Sequence, residues 1–232
     1  MSQQKQFKHL NIVLAIIFIL LSVGALYNGQ QAYAFHLEIV GKVTPVTDVD
    51  IKNATSLAIT ASLSVLAYLP MACLLFVSKK SCLYIIPAAI LALRYLYTLF
   101  VQIYATINIF DFMSRHKGVM LDQVRGLISV VALTLVAVTV LICVIRNAKG
   151  QNLRIIRFVL LTSLVVALVL ILVSLGMAKE CSEEFGVIYS KNIYLMHLDL
   201  VLKVLAMPLI ACAVRIFGSE GITEEFGKVD VV

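Results

Sequence analysis

Arg94, Asp199 and Lys203 are the residues of this sequence best placed to do chemistry, because each lies inside a long apolar run. An ionised side chain at the centre of a bilayer costs at least ~2.5–3.5 kcal/mol, so such residues face a protein interior or a wet cavity and tend to pair. Asp199 and Lys203 are four apart, which places them on one helix face. At ~1.5 Å per residue, Arg94 lies about 18 Å from the start of its run near Cys82, or about 12 Å beneath the far surface of a core roughly 30 Å thick. Counted from Ile193, Asp199 and Lys203 lie about 9 Å and about 15 Å beneath that same surface. One carboxylate at this depth can bridge two cations, and the surplus positive charge can attract an anionic ligand or a lipid head group.

Two readings follow. The cluster is either an internal salt bridge that sets helix register or a binding site for a small anionic or zwitterionic solute. In the second reading the planar fork of Arg94 grips a carboxylate or phosphate, Lys203 adds a point charge, and Asp199 holds both or takes a ligand amine. Thr98 and Gln102 follow Arg94 at four-residue steps, and Tyr97 adds an amphipathic ring. These six residues form the candidate substrate-binding set. Tyr104, seven beyond Tyr97, suits either the same cavity or the membrane interface, and His197 reads as an interfacial histidine on a different face from Asp199.

The elements that must carry these residues are six apolar stretches: Leu10–Tyr27, Ser56–Ser78, Cys82–Phe110, Gly126–Ile145, Phe158–Met177 and Ile193–Phe217. Each is about the length that crosses a bilayer as a helix, roughly 20 residues. The composition agrees: of 232 residues 61% are hydrophobic and 14% charged, against about 25% charged in a soluble domain. The expected fold is therefore an all-α membrane protein, a bundle of six transmembrane helices forming a single domain over 1–232. Its outer loop spans 28–55 and its tail 218–232. Ten Lys and Arg fall on the side holding both termini and seven on the other, with Arg94 and Lys203 inside spans completing the nineteen. The positive-inside rule then places both termini in the cytoplasm.

The outer loop Asn28–Thr55 carries Gly29, Gly41 and Pro45, and the partial alternation over Phe35–Val43 predicts an extended strand or short hairpin. Ala32-Tyr33-Ala34 resembles a signal-peptidase site but lies well past the apolar run, so a retained first helix is expected. Ser56, Thr60 and Ser64 share a face of the second span, and Ser163 with Ala167 makes a small-xxx-small pair in the fifth. Both suit close helix contacts. Pro70, Pro87 and Pro208 lie within spans and predict kinks. An internal repeat of three plus three spans finds no support, because cation and proline occur in opposite order in the third and sixth.

The five cysteines form no CxxC pair; Cys73, Cys82, Cys143 and Cys212 read as small apolar fillers, and Cys181 falls in a loop. There is no HExxH, P-loop or GxGxxG, and only one Asp within a span, so no catalytic residue, metal or cofactor is expected. The net charge of +6 gathers at helix ends rather than in a basic patch with aromatics, which suits anionic lipid and not nucleic acid. The partners expected are the bilayer, a small anionic solute and a membrane protein partner. Short loops, small size and the lack of organelle signals point to a bacterial plasma membrane. In size and span count the chain is similar to the substrate-binding subunits of energy-coupling-factor transporters. That resemblance implies solute binding, but Leu10–Tyr27 has no AxxxA contact motif of the kind those subunits show in the first helix, and the chain is not assigned to them. The competing reading is a non-transporting assembly, immunity or sensor subunit whose charges only hold the bundle together.

Overall fold

A computed structural model describes residues 3–43, 45–77, 81–108, 110–115, 117–149, 153–185 and 200–210. These residues are almost entirely helical: α1 (Gln3–Val43), α2 (Asp48–Ser62), α3 (Val65–Val77), a 3₁₀ turn (Ser81–Tyr84), α4 (Ile85–Asn108), the single turn α5 (Phe110–Met113), α6 (Lys117–Ala148) and α7 (Leu153–Phe185). A further helix, α8 (Leu200–Ile210), follows. Five segments are long and apolar enough to cross a membrane: Asn11–Gln31, Asp48–Phe76, Cys82–Asn108, Met120–Ala148 and Phe158–Met177. They coincide with the first five stretches. In the sixth stretch only α8 is described, and the flanks that would extend it, Asp199 among them, lie outside the described residues.

The largest departure from expectation lies between the first two spans. No hairpin forms at Phe35–Val43; α1 continues as one helix to Val43, and α2 begins at Asp48. The expected loop of 28–55 thus shrinks to the few residues around Pro45. The physical reason lies in the residues themselves. Gln30, Gln31, Ala32, Ala34, Leu37 and Glu38 are good helix formers, and no proline interrupts them. Pro45, two residues past the end of α1, has no N–H to continue a helix. Thr47 then caps α2: its hydroxyl accepts from the Asp50 backbone N–H at 3.4 Å, and its own backbone N–H donates to Asp50 Oδ2 at 2.9 Å. This reciprocal pair satisfies two of the donors that a helix start leaves open.

The prolines also behave differently from one another. α4 starts at Ile85, so Pro87 sits in its first turn, where backbone N–H groups have no intrahelical acceptor, and it kinks nothing. Pro70 lies inside α3, and the helical run is broken upstream of it, at Leu63 and Ser64. The run resumes through tight bonds from Leu66 N–H to Leu63 O (3.1 Å) and from Ala67 N–H to Ser64 O (3.0 Å). Pro70 has no N–H to offer the carbonyl four residues back, that of Leu66, so α3 forgoes one bond there.

The chain divides into two compact units, Met1–Leu91 and Ala92–Val232. In the first, α1 packs on α2 and α3. Phe18 stacks on Tyr68 with ring centroids 6.3 Å apart, over buried Ala67, Met71 and Ala72. Gly29 makes the α1–α2 approach feasible: a Cβ there would stand 2.9 Å from the Ala58 carbonyl oxygen and collide with the Ser62 hydroxyl. In the second unit, α6 packs along α7. Ala132, Val136, Val140 and Val144 of α6 and Ser163, Ala167, Ile171 and Ser174 of α7 are all buried, and Ser129 meets Ser174 between the two helices. The small pair Ser163 and Ala167 thus lies on a buried helix face, as its spacing suggests.

Candidate functional site

The site is built on α4. Arg94, Thr98, Gln102 and Thr106 recur every four residues and are all half-buried, forming one polar strip from the interior of the span to its C-terminal end. A step of four residues turns only about 40° around the axis, so the strip drifts slowly across one side of the helix. The neighbouring packed side carries Leu91 and Tyr95, both buried.

Arg94 is held by its neighbour. Its Nη1 donates to the Tyr95 hydroxyl at 3.3 Å, and its guanidinium carbon sits 4.9 Å from the Tyr95 ring centroid. Such a contact favours a cation over the aromatic face and limits where the side chain can swing. The Tyr95 backbone is fixed in turn: Thr134 Oγ1 on α6 lies 3.2 Å from the Tyr95 carbonyl and 2.8 Å from that of Val130. The Thr98 hydroxyl donates to the Arg94 carbonyl at 3.0 Å, and that of Thr106 to the Gln102 carbonyl at 2.8 Å. These hydroxyls satisfy their donors on their own helix and leave oxygen lone pairs available on the strip.

Gln102 ties the strip to α6. Its Nε2 donates to Gln123 Oε1 at 2.9 Å. A Cβ on Gly126 would stand 3.2 Å from that nitrogen, so the glycine makes room for the amide to lie across α6. One turn away is a charge that sequence reasoning placed in a loop. Arg125 is only 5% exposed. Its Nη2 and Nε both donate to Asp122 Oδ1, at 2.7 Å and 3.2 Å. Its carbonyl accepts from Ser129 at 2.9 Å, and Ser129 Oγ lies 3.0 Å from Ser174 Oγ on α7. The Ser174 hydroxyl also reaches the Arg125 carbonyl, at 3.4 Å. Asp122, Gln123 and Arg125 were missed because the apolar count begins at Gly126, whereas the helix begins at Lys117. The signal that could have found the pair is the three-residue step from Asp122 to Arg125 in a run without proline.

The other residues proposed from the sequence fall elsewhere. Tyr97 is not on the strip; it points away from the packed side, as Tyr104 does. Lys203 is half-buried on α8, next to buried Val204 and one turn before buried Met207. Asp199 and His197 lie outside the described residues, and so does any bridge from Asp199 to the two cations. Among the described residues, no three His, Cys, Asp or Glu side chains come together as a metal site. Chemically, the assembled groups can bind: a guanidinium, an amide pair and hydroxyl oxygens along one wall are hydrogen-bonding groups, with no nucleophile and base in contact among them. No protein family model, curated protein or solved structure matches this chain.

Proposed function

We propose that this multi-pass membrane protein is a carrier, or the solute-binding membrane subunit of one, for a small anionic or zwitterionic solute. The supporting observation is the strip Arg94–Thr98–Gln102–Thr106, extended by Gln123. It puts hydrogen-bonding groups in register from the interior of an apolar span to its end. A solute crossing hydrocarbon needs such a sequence of partners to replace its lost hydration. Arg94 is the gripping residue, steadied by Tyr95, and Gln102 with Gln123 stands at the entrance. Lys203 and Asp199 complete the charge set on α8 and the segment before it. The solute is bound and moved without chemical change, the expected location is a bacterial plasma membrane, and an energising membrane partner is consistent with the small size.

The test is ligand-dependent thermal stabilisation of the purified protein across a panel of carboxylates, phosphates and amino acids, followed by uptake into vesicles. A hydrogen-bonded charge contact is worth about 1.5–3 kcal/mol. Arg94→Ala should therefore weaken binding of the best ligand by roughly 10- to 150-fold while the free protein melts near the wild-type temperature. Arg94→Lys should recover part of the loss. If Arg94→Ala unfolds the protein and no panel member stabilises the wild type, the carrier reading fails.

A second reading draws on a different observation. Arg125, Asp122, Ser129 and Ser174 satisfy one another within the fold. Polar groups used this way hold helices together, as in a non-transporting assembly, immunity or sensor subunit. That reading expects the polar substitutions to change stability only.

A further inference from the structure

The end of the α6–α7 pair where the chain turns carries four cations, Arg146, Lys149, Arg154 and Arg157, and no acid. No Asp or Glu occurs anywhere from Gln123 to Lys179. The nearest acids along the two helices, Asp122 and Glu180, stand at their opposite ends. Asp122 is about 36 Å along the axis from Arg146, far beyond a screening length of about 8–10 Å. Arg146 and Lys149 are exposed, and among the described residues neither meets a carboxylate.

Their height is matched on the two helices. Arg146 and Lys149 lie about 1.5 Å and about 6 Å past Ile145, the last residue of the fourth apolar stretch. Arg157 and Arg154 lie as far before Phe158, the first residue of the fifth. Lipid head groups occupy that layer, which adds about 5–7 Å to each side of the hydrocarbon. Directly beneath, both helices are apolar and uncovered. Ile142 shares a face of α6 with Arg146 and is 47% exposed. On α7, Phe158 and Leu161 come four residues after Arg154 and Arg157 and are 71% and 60% exposed.

α7 adds an electrostatic demand. Its first turn holds no acidic residue. Arg154 and Arg157 instead stand where the positive end of the helix dipole repels a cation. An anion held at that end offsets both charges at once. α6 has no such conflict, because Arg146 and Lys149 stand at a helix C-terminus, which attracts them.

We propose that this end of the α6–α7 pair binds anionic phospholipid, one molecule on each helix. One phosphate meets Arg146 and Lys149, with an acyl chain along Ile142. The other meets Arg154 and Arg157, with its chains along Phe158 and Leu161. The occupant is a lipid and not a soluble anion because charge gives way, within one helical turn, to uncovered apolar surface. A molecule with an anionic head and hydrocarbon chains matches both parts. The proposal holds whether or not the protein is a carrier.

The experiment is native mass spectrometry of the full-length protein in detergent, titrated with phosphatidylglycerol or with phosphatidylcholine. The expected result is two phosphatidylglycerol molecules retained in preference to phosphatidylcholine. A cation near the head groups is worth about fivefold in affinity. Arg154→Gln with Arg157→Gln should therefore weaken one of the two by roughly 30-fold, and Arg146→Gln with Lys149→Gln the other, by a similar factor. Lys79→Gln with Lys80→Gln, outside the α6–α7 pair, should change neither. Thermal stabilisation of the wild type by phosphatidylglycerol over phosphatidylcholine gives a second reading that needs no variant. Equal retention and equal stabilisation by the two lipids overturn the proposal. The same loss from the Lys79 and Lys80 variant does so too, since it would show a general response to charge. Displacement of the lipid by an equal concentration of glycerophosphate, which has the head but no chains, would assign the site to a soluble anion. A tenfold rise in retention on Glu224→Gln with Glu225→Gln would assign it to the acidic tail of the chain itself.

Discussion

The α1–α2 contact and the α6–α7 contact join apolar helices by different means. The first relies on closeness: Gly29 brings the backbones so near that even a methyl group would meet the Ala58 carbonyl oxygen. The second relies on bonds: Ser129 and Ser174 meet across the helices, beside an Arg125–Asp122 pair on α6. Both answer one physical problem. Lipid tails are as apolar as leucine, so two greasy helices have no reason to prefer each other until shape or polarity intervenes. The first solution is sensitive to volume and the second to polarity.

That contrast can be broken by substitution. The largest effect is expected at Asp122. Asp122→Ala removes the acceptor of two Arg125 N–H bonds and should cost about 2 kcal/mol, less than the 3–5 kcal/mol of a fully buried pair because Asp122 keeps some exposure. Thermal unfolding in detergent measures it; an unchanged midpoint would show that Arg125 is held without Asp122. Gly29→Ala comes next. It should destabilise by about 1–3 kcal/mol through overpacking, and the same melting experiment should show α1 loosening from α2 by faster hydrogen exchange. Ser129→Ala with Ser174→Ala should lose about 0.6 kcal/mol, the average for an interhelical hydrogen bond in a membrane protein. A much larger loss would mean that these hydroxyls carry more of the α6–α7 contact than packing does.

The smallest change sharpens the comparison by reversing sign. Gly24 is on the same helix as Gly29, but a Cβ there meets nothing within 4 Å. Gly24→Ala should stabilise α1 by up to about 0.5–1 kcal/mol. If both glycine variants destabilise equally, the close approach at Gly29 is not what distinguishes the α1–α2 contact.

Much of this was legible from composition, and the failures are instructive. The apolar stretches announced the five long helices because length and greasiness alone decide whether a segment belongs in lipid. The stretch Asn28–Thr55 misled because it is less apolar, and a fall in hydropathy reports where a helix leaves the bilayer, not where it ends. Gln30 to Val43 remain helical past that point. Arg125 misled for the same reason: α6 starts eight residues earlier, at Lys117, and carries the charge into the protein. On the candidate site, the four-residue steps put Arg94, Thr98 and Gln102 along one side of α4, where all three are half-buried. Tyr97, three residues from Arg94, falls outside it.

By itself the sequence determined the approximate position of five helices long and apolar enough to cross a membrane, and the place of Arg94 along the third. These follow from one-dimensional quantities: residue type and distance along an axis. Only the tertiary structure decided which side of each helix meets protein. In spans that are apolar on all sides, periodicity does not mark a buried face, so the burial of Tyr95 rather than Tyr97 and the meeting of Ser129 with Ser174 arise from how the helices pack.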